Sequence, residues 1–206
     1  MYQDILHPEG YFHIYNRANG RENLFTEDDN YLFFLQKYKR HIVPVADTLA
    51  YALMPNHFHF LVRIRDLKEL RSTLSEFETL TELEQSKKLS RQFSHLFNSY
   101  AQAFNKKYGR HGSLFQRPFK RNQISSETHL KRAILYVHRN PVHHGFTERM
   151  EDWPYTSYES LMSEKHTQLA RKQVMKLFES KVHFIEAHKN VQVNWLESLA
   201  SHFEDH

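Results

Sequence analysis

The 206-residue chain contains no cysteine. That excludes disulfides, thiolate metal sites and cysteine nucleophiles, and it fits a reducing compartment. Glycine is scarce, with five residues, and none forms the glycine-rich loop that cradles nucleotide phosphates. No apolar run approaches the roughly 18 residues that a membrane-spanning helix needs. The opening residues, MYQDILHP, lack the basic and then apolar order of a secretory signal. A soluble cytoplasmic protein with no membrane partner is the expectation. Neither an internal repeat nor a low-complexity segment is visible. What is present suits one domain with an appendage: 40% hydrophobic and 14% aromatic residues, enough for a core.

The formal charge of +4 is modest but unevenly spread. Residues 89–149 hold eleven Lys/Arg against Glu127 and Glu148, a surplus of +9, which leaves −5 for the rest. A basic segment interleaved with Phe, Tyr and His points to nucleic acid, through phosphate contacts and base stacking. The bland counterpart is a solvated basic surface.

The chain reads in order as strand, helix, strand, strand, helix, strand. GYFHIYNR at 10–17 alternates His13, Tyr15 and Arg17 against Phe12, Ile14 and Asn16, as a strand does. Thr26 and Asp29 resemble a capping box opening a helix over 27–41. A second strand at 48–54 is joined through Pro55-Asn56 to a third, predicting a hairpin. Residues 66–88 are polar and helix-permissive, a covering insertion. Phe93, Phe97, Tyr100, Phe104 and Tyr108 recur at helical spacing and read as core packing. Residues 112–124 look extended, with Pro118 suggesting a bulge or edge. Ser125 or Ser126 caps a last helix that ends near Pro141. This order predicts an α+β, ferredoxin-like (RRM-like) sandwich with a four-stranded antiparallel sheet and helices on one face. The expected division is a main domain over 1–150, with the polar insertion at about 66–88, and a C-terminal helical extension over 151–206.

Two places could carry chemistry. In MPNHFHFLV, His57 and His59 flank Phe58, so in a strand both imidazoles share one face. That is half of a metal site, or two ordinary strand histidines. In the helix after Ser126, Tyr136 lies about 100° off the apolar stripe of Leu130, Ala133, Ile134 and Val137. His129, Arg132 and Asn140 fall on the same flank. A phenol can be a covalent nucleophile, and Asn140 could offer an oxygen to a hard cation. Pro141 disfavours helical backbone at Asn140.

Four ordered segments, GYFHIYNRANGRENLF, YALMPNHFHFLV, GSLFQRPFK and YVHRNPVHHGFTERMEDWPYTSY, resemble the HUH single-tyrosine transposases, particularly the REP-associated branch. Together with the helix at 89–108 they cover most of residues 10–160. The resemblance implies that His57 and His59 hold a divalent cation, Mg²⁺ or Mn²⁺. Asn140 stands where the family places an amide ligand, more often glutamine, four residues after the nucleophile. It implies Tyr136 as that nucleophile, cutting single-stranded DNA near hairpins to give a 5′-phosphotyrosine link and a 3′-hydroxyl. Arg17, Arg117, Lys120, Arg121 and Arg132 are the expected DNA contacts. Monomer and homodimer both remain open. The alternative is a non-catalytic hairpin DNA- or RNA-binding module on an RRM-like sheet. A zinc hydrolase fits less well, for want of a third strong ligand or a glutamate base beside the pair.

Overall fold

A computed structural model describes residues 4–191; the expected extension runs beyond these to 206. Strands β1 (Tyr11–Arg17), β2 (Ala46–Met54), β3 (His57–Ile64) and β4 (Lys120–Ile124) form one sheet in the order β2-β3-β1-β4, with every neighbouring pair antiparallel. The α+β, ferredoxin-like sandwich is therefore present, with helices on both faces of the sheet rather than on one. Among the described residues no helix is long and apolar enough to cross a membrane.

Strand alternation divides the chemistry between two faces. Phe12, Ile14, Phe58, Phe60 and Val62 point to one side, where α1 (Asp28–His41) and α3 (Glu82–Lys107) complete a buried aromatic core. Phe34 sits inside it, with ring centroids of Phe25, Phe58 and Tyr100 at 5.3, 5.4 and 5.0 Å. The other side carries Leu61, Ala50, Ala52 and Met54 and is covered by α4 (Glu127–His143). Short helices α5 (Tyr158–Met162), α6 (Arg171–Leu177) and α7 (Lys181–Lys189) add Leu161, Val174 and Phe184 to that second core.

Local chemistry departs from the sequence expectations in several places. The first helix is capped by no side chain; Thr26 instead donates through its backbone N–H and its hydroxyl to Asn30 Oδ1, both at 2.9 Å. Residues 66–88 are more than a cover. They contain α2 (Leu67–Thr73), place Leu70, Leu74 and Phe77 in the aromatic core, and supply the first turns of α3. Thr81 and Glu84 close a capping box there. Of the extended stretch only Lys120–Ile124 pairs as a strand, after a cis Arg117–Pro118 bond. Tyr108 lies outside the core, its hydroxyl bonded to Glu27 and Asn30.

Helix α4 continues through Pro141 and ends at His143, so the backbone at Asn140 is helical despite the proline that follows it. Proline removes its own N–H and its ring crowds the carbonyl at i−4, that of Val137. The last turn is held regardless, by His144 N–H to Asn140 C=O at 3.0 Å and Phe146 N–H to Pro141 C=O at 2.9 Å. At the other end Ser126 Oγ accepts the His129 N–H at 3.1 Å. Ser126→Ala should therefore destabilise the protein by about 1 kcal/mol. A urea denaturation midpoint indistinguishable from the parent would show that the cap contributes nothing.

Candidate active site

The site begins at the two-residue turn Pro55-Asn56. Pro55 C=O accepts the Leu24 and Phe25 N–H groups at 2.6 and 3.0 Å, and Asn56 C=O accepts that of Ala18 at 2.8 Å. The turn is thus fixed from outside, and His57 and His59 leave it along β3 on the face turned to α4. Their rings stand 5.3 Å apart and nearly perpendicular. Across the sheet Tyr15 pairs with His59 and Arg17 with His57.

His59 is buried. Its Nδ1 lies 2.8 Å from His13 Nε2, and its Nε2 is buried without a hydrogen-bond partner. His13, Tyr15 and His59 form a stack, with centroids 4.8 Å apart for His13–Tyr15 and 5.0 Å for His13–His59. Burial, and then the neighbouring His13, His57 and His144, hold the His59 imidazole well below its ordinary pKa. It is neutral at pH 7, with a lone pair for a metal or a proton.

His57 faces oxygen at both nitrogens: Nδ1 lies 2.7 Å from Asn56 Oδ1 and Nε2 lies 3.0 Å from Asn140 Oδ1. A neutral imidazole has one N–H. If that N–H goes to Asn56, the Nε2 lone pair meets the Asn140 oxygen lone pair. Three arrangements relieve the clash: an imidazolium, an Asn140 carboxamide turned to present its nitrogen, or a cation between the two atoms. In the present orientation Asn140 Nδ2 is itself buried without a partner. Among the described residues no group of three His, Asp or Glu side chains could hold a metal. The donor set that fits one is two imidazole nitrogens and a carboxamide oxygen.

Asn140 and Tyr136 are one turn apart on α4 and point to the same side. The edge of the Tyr136 ring meets His59 at 5.6 Å and His13 at 6.4 Å. This corrects the sequence reading of Tyr136 as a residue on a polar flank. It is 1% exposed, inside the contact of α4 with the sheet, whereas Arg132 is on the exposed side of the helix. The apolar face of α4 is broader than its Leu/Ile/Val stripe, because the second core also accommodates Tyr136, His138 and Asn140.

A cavity of about 350 Å³ opens beside the histidines, lined among others by Tyr15, Arg17, Gln116, Lys120 and His144. Lys120 Nζ stands 6.0 Å from the Tyr15 ring centroid. The five expected DNA-contacting cations are therefore split. Arg17 and Lys120 line this cavity, Arg117 and Arg121 line an adjoining groove beside α3, and Arg132 is exposed on α4. Sequence reasoning missed His13, Asn56 and His144 as site neighbours. The His13/Tyr15/Arg17 alternation was the available signal for the first, once β1 is known to lie against β3.

The sheet order and the two covered faces define a class: a ferredoxin-like α+β protein with a histidine pair on the central strand and a tyrosine–asparagine helix across from it. Comparison with known proteins makes this more particular. The chain is similar to REP-associated tyrosine transposases. It is 28% identical over 115 residues to the Haemophilus influenzae protein named "Putative REP-associated tyrosine transposase", across 54% of this chain and 58% of that protein. The matched region is thus under two thirds of that relative's length. The fold is similar to the solved structure of a REP-associated tyrosine transposase bound to a REP hairpin. The TM-score is 0.53 at 16% identity, over 80% of this chain and 86% of that one. No protein-family model matches the chain.

Proposed function

We propose that this protein is a DNA-processing enzyme that cuts and rejoins single-stranded DNA beside hairpins through a covalent tyrosine link. The observation that carries the reading is the meeting of the sheet and α4 at one point. His57 Nε2 lies 3.0 Å from Asn140 Oδ1, and Tyr136 packs against His59. The neighbours identified above support the same reading. A pure binding module needs no such convergence, and α4 leaves no open sheet face for RRM-type stacking.

In this mechanism Tyr136 Oη gives up its proton and attacks the scissile phosphorus, the bond from phosphorus to the 3′ oxygen breaks, and that oxygen takes up one proton in exchange and leaves as a 3′-hydroxyl. The protein is left joined to the 5′ phosphate. Attack by a 3′-hydroxyl reverses the step, so no nucleotide cofactor is required. His57, His59 and Asn140 would hold Mg²⁺ or Mn²⁺, with phosphate oxygens completing the shell. Such an ion supplies Lewis-acid polarisation of the phosphate and neutralises developing charge. His13 and Asn56 orient the two imidazoles through their Nδ1 atoms. Arg17 and Lys120 hold the strand at the cavity.

The test is incubation with labelled single-stranded DNA carrying a hairpin, with Mn²⁺, followed by a denaturing gel. A protein-linked band is expected; with every flanking sequence of the gene tried, its complete absence counts against the reading. Binding should also weaken steeply with salt, by about 0.7 in log affinity per log salt for each phosphate contact on single strands. A flat salt titration would contradict the nucleic-acid assignment itself.

A further inference from the structure

We infer that the groove between α3 and the segment 112–121 is a binding track for a single DNA strand that continues out of the histidine cavity. The inference rests on the function proposed above and extends it to a second surface.

The groove encloses about 1080 Å³. Its lining contains four cations, Lys87, Arg91, Arg117 and Arg121, and no carboxylate. On α3, positions 87, 91, 94 and 98 recur at helical spacing, so Lys87, Arg91, Ser94 and Asn98 form one stripe. The opposite side of the same helix, from Leu89 to Phe104, is in the core. A row of cations and small polar groups matches a line of phosphates. Ile5 and Leu83, both exposed, give the lining an apolar character that suits base faces. Lys87, Arg91 and Arg117 are exposed; Arg121 is braced by Asp4 C=O and Ser90 Oγ.

Continuity with the histidine cavity comes from Asn16 and Gln116, which line both spaces. Asn16 Nδ2–H donates to Gln116 C=O at 3.1 Å, tying β1 to the segment that walls the groove. A strand whose phosphate lies at the histidines can pass over this pair and reach Arg117, then Arg91 and Lys87. A duplex would present two backbones, and the groove offers one row of cations.

The experiment compares the whole protein on hairpin oligonucleotides with minimal flanks and with one flank, 5′ or 3′, extended by about ten nucleotides. One of the two extensions should tighten binding at least about tenfold at low salt. The double variant Lys87→Ser/Arg91→Ser should lose that gain and lower the salt slope by roughly 1.4, two contacts at about 0.7 each. Lys172→Ser/Lys176→Ser, on exposed positions of α6, should keep it. If the parent binds hairpins but neither flank adds affinity, or if the two double variants behave alike, the groove is no track and the proposed function stands. If the parent binds no form of single-stranded DNA, both fall.

Discussion

Tyr136→Phe is expected to abolish the covalent protein–DNA adduct while leaving a folded protein that still binds DNA. The change removes one oxygen and keeps the ring, so the edge contacts with His59 and His13 persist. Removing one buried hydroxyl costs on the order of 1 kcal/mol, or a few degrees in melting temperature at this size. The effect on chemistry is total, because phenylalanine has no atom to bond to phosphorus. The structure adds a rival that the sequence did not suggest. Tyr15 lines the histidine cavity and its ring stacks near His59 at 5.9 Å. Tyr155 and Tyr158 are weaker rivals: Tyr155 is stacked on Tyr31 at 3.6 Å, and Tyr158 packs against Phe184 in the second core. Tyr15→Phe should retain the adduct band. An adduct that survives in Tyr136→Phe and vanishes in Tyr15→Phe would transfer the role to β1.

The second large effect is a loss of stability on mild acidification. His138, Ser157 and His188 form a fully buried chain that links α4, β2 and α7. His188 Nδ1–H donates to Phe184 C=O at 2.7 Å, so its Nε2 accepts the His138 Nδ1–H at 2.8 Å. His138 Nε2 then accepts from Ser157, whose oxygen accepts the Tyr51 N–H. A proton added to either imidazole breaks this order. Burial lowers His188 from an ordinary 6.5 to about 4, with Arg139 adding to it against the pull of the Phe184 carbonyl. Burial and His188 move His138 in the same direction.

A folded pKa below the unfolded one means that the unfolded chain binds more protons in between. Stability is full above about pH 6.5 and declines as pH falls toward 4. At pH 5 His188 alone should account for about 2 kcal/mol, equivalent to roughly 4–8 °C. His188→Gln should melt lower at pH 7.5 and lose less between pH 7.5 and 5. Equal slopes in parent and variant would show that this pair does not control the acid limb.

The parts legible from sequence were those with short-range signals. Strand alternation put His57 and His59 on one face, and a two-residue Pro-Asn link gave the hairpin. Ordered motifs carried the resemblance to REP-associated tyrosine transposases. What escaped depends on long-range packing. Nothing local says that α4 covers the second face of the sheet, so Tyr136 read as a flank residue. The 3.6-residue period also cannot distinguish an insertion from the first turns of a long helix, as residues 82–88 show. Pro141 did not turn Asn140 out of the helix as its backbone preference suggests, and the last turn is closed by the His144 and Phe146 N–H groups.

The candidate site is a seam between two separately packed layers. His57 and His59 belong to the sheet, whose Phe-rich face is packed by α1 and α3; Asn140 and Tyr136 arrive on α4, which is held by the other core. Partial unfolding of the second layer alone would leave a folded sheet with two histidines and no site. If the proposed function holds, metal affinity and cleavage competence would then fail together, ahead of global melting. Under the proposed function, activity would thus report on the docking of one helix, and mutations deep in the α5–α7 packing would silence it without touching the candidate ligands or the candidate nucleophile.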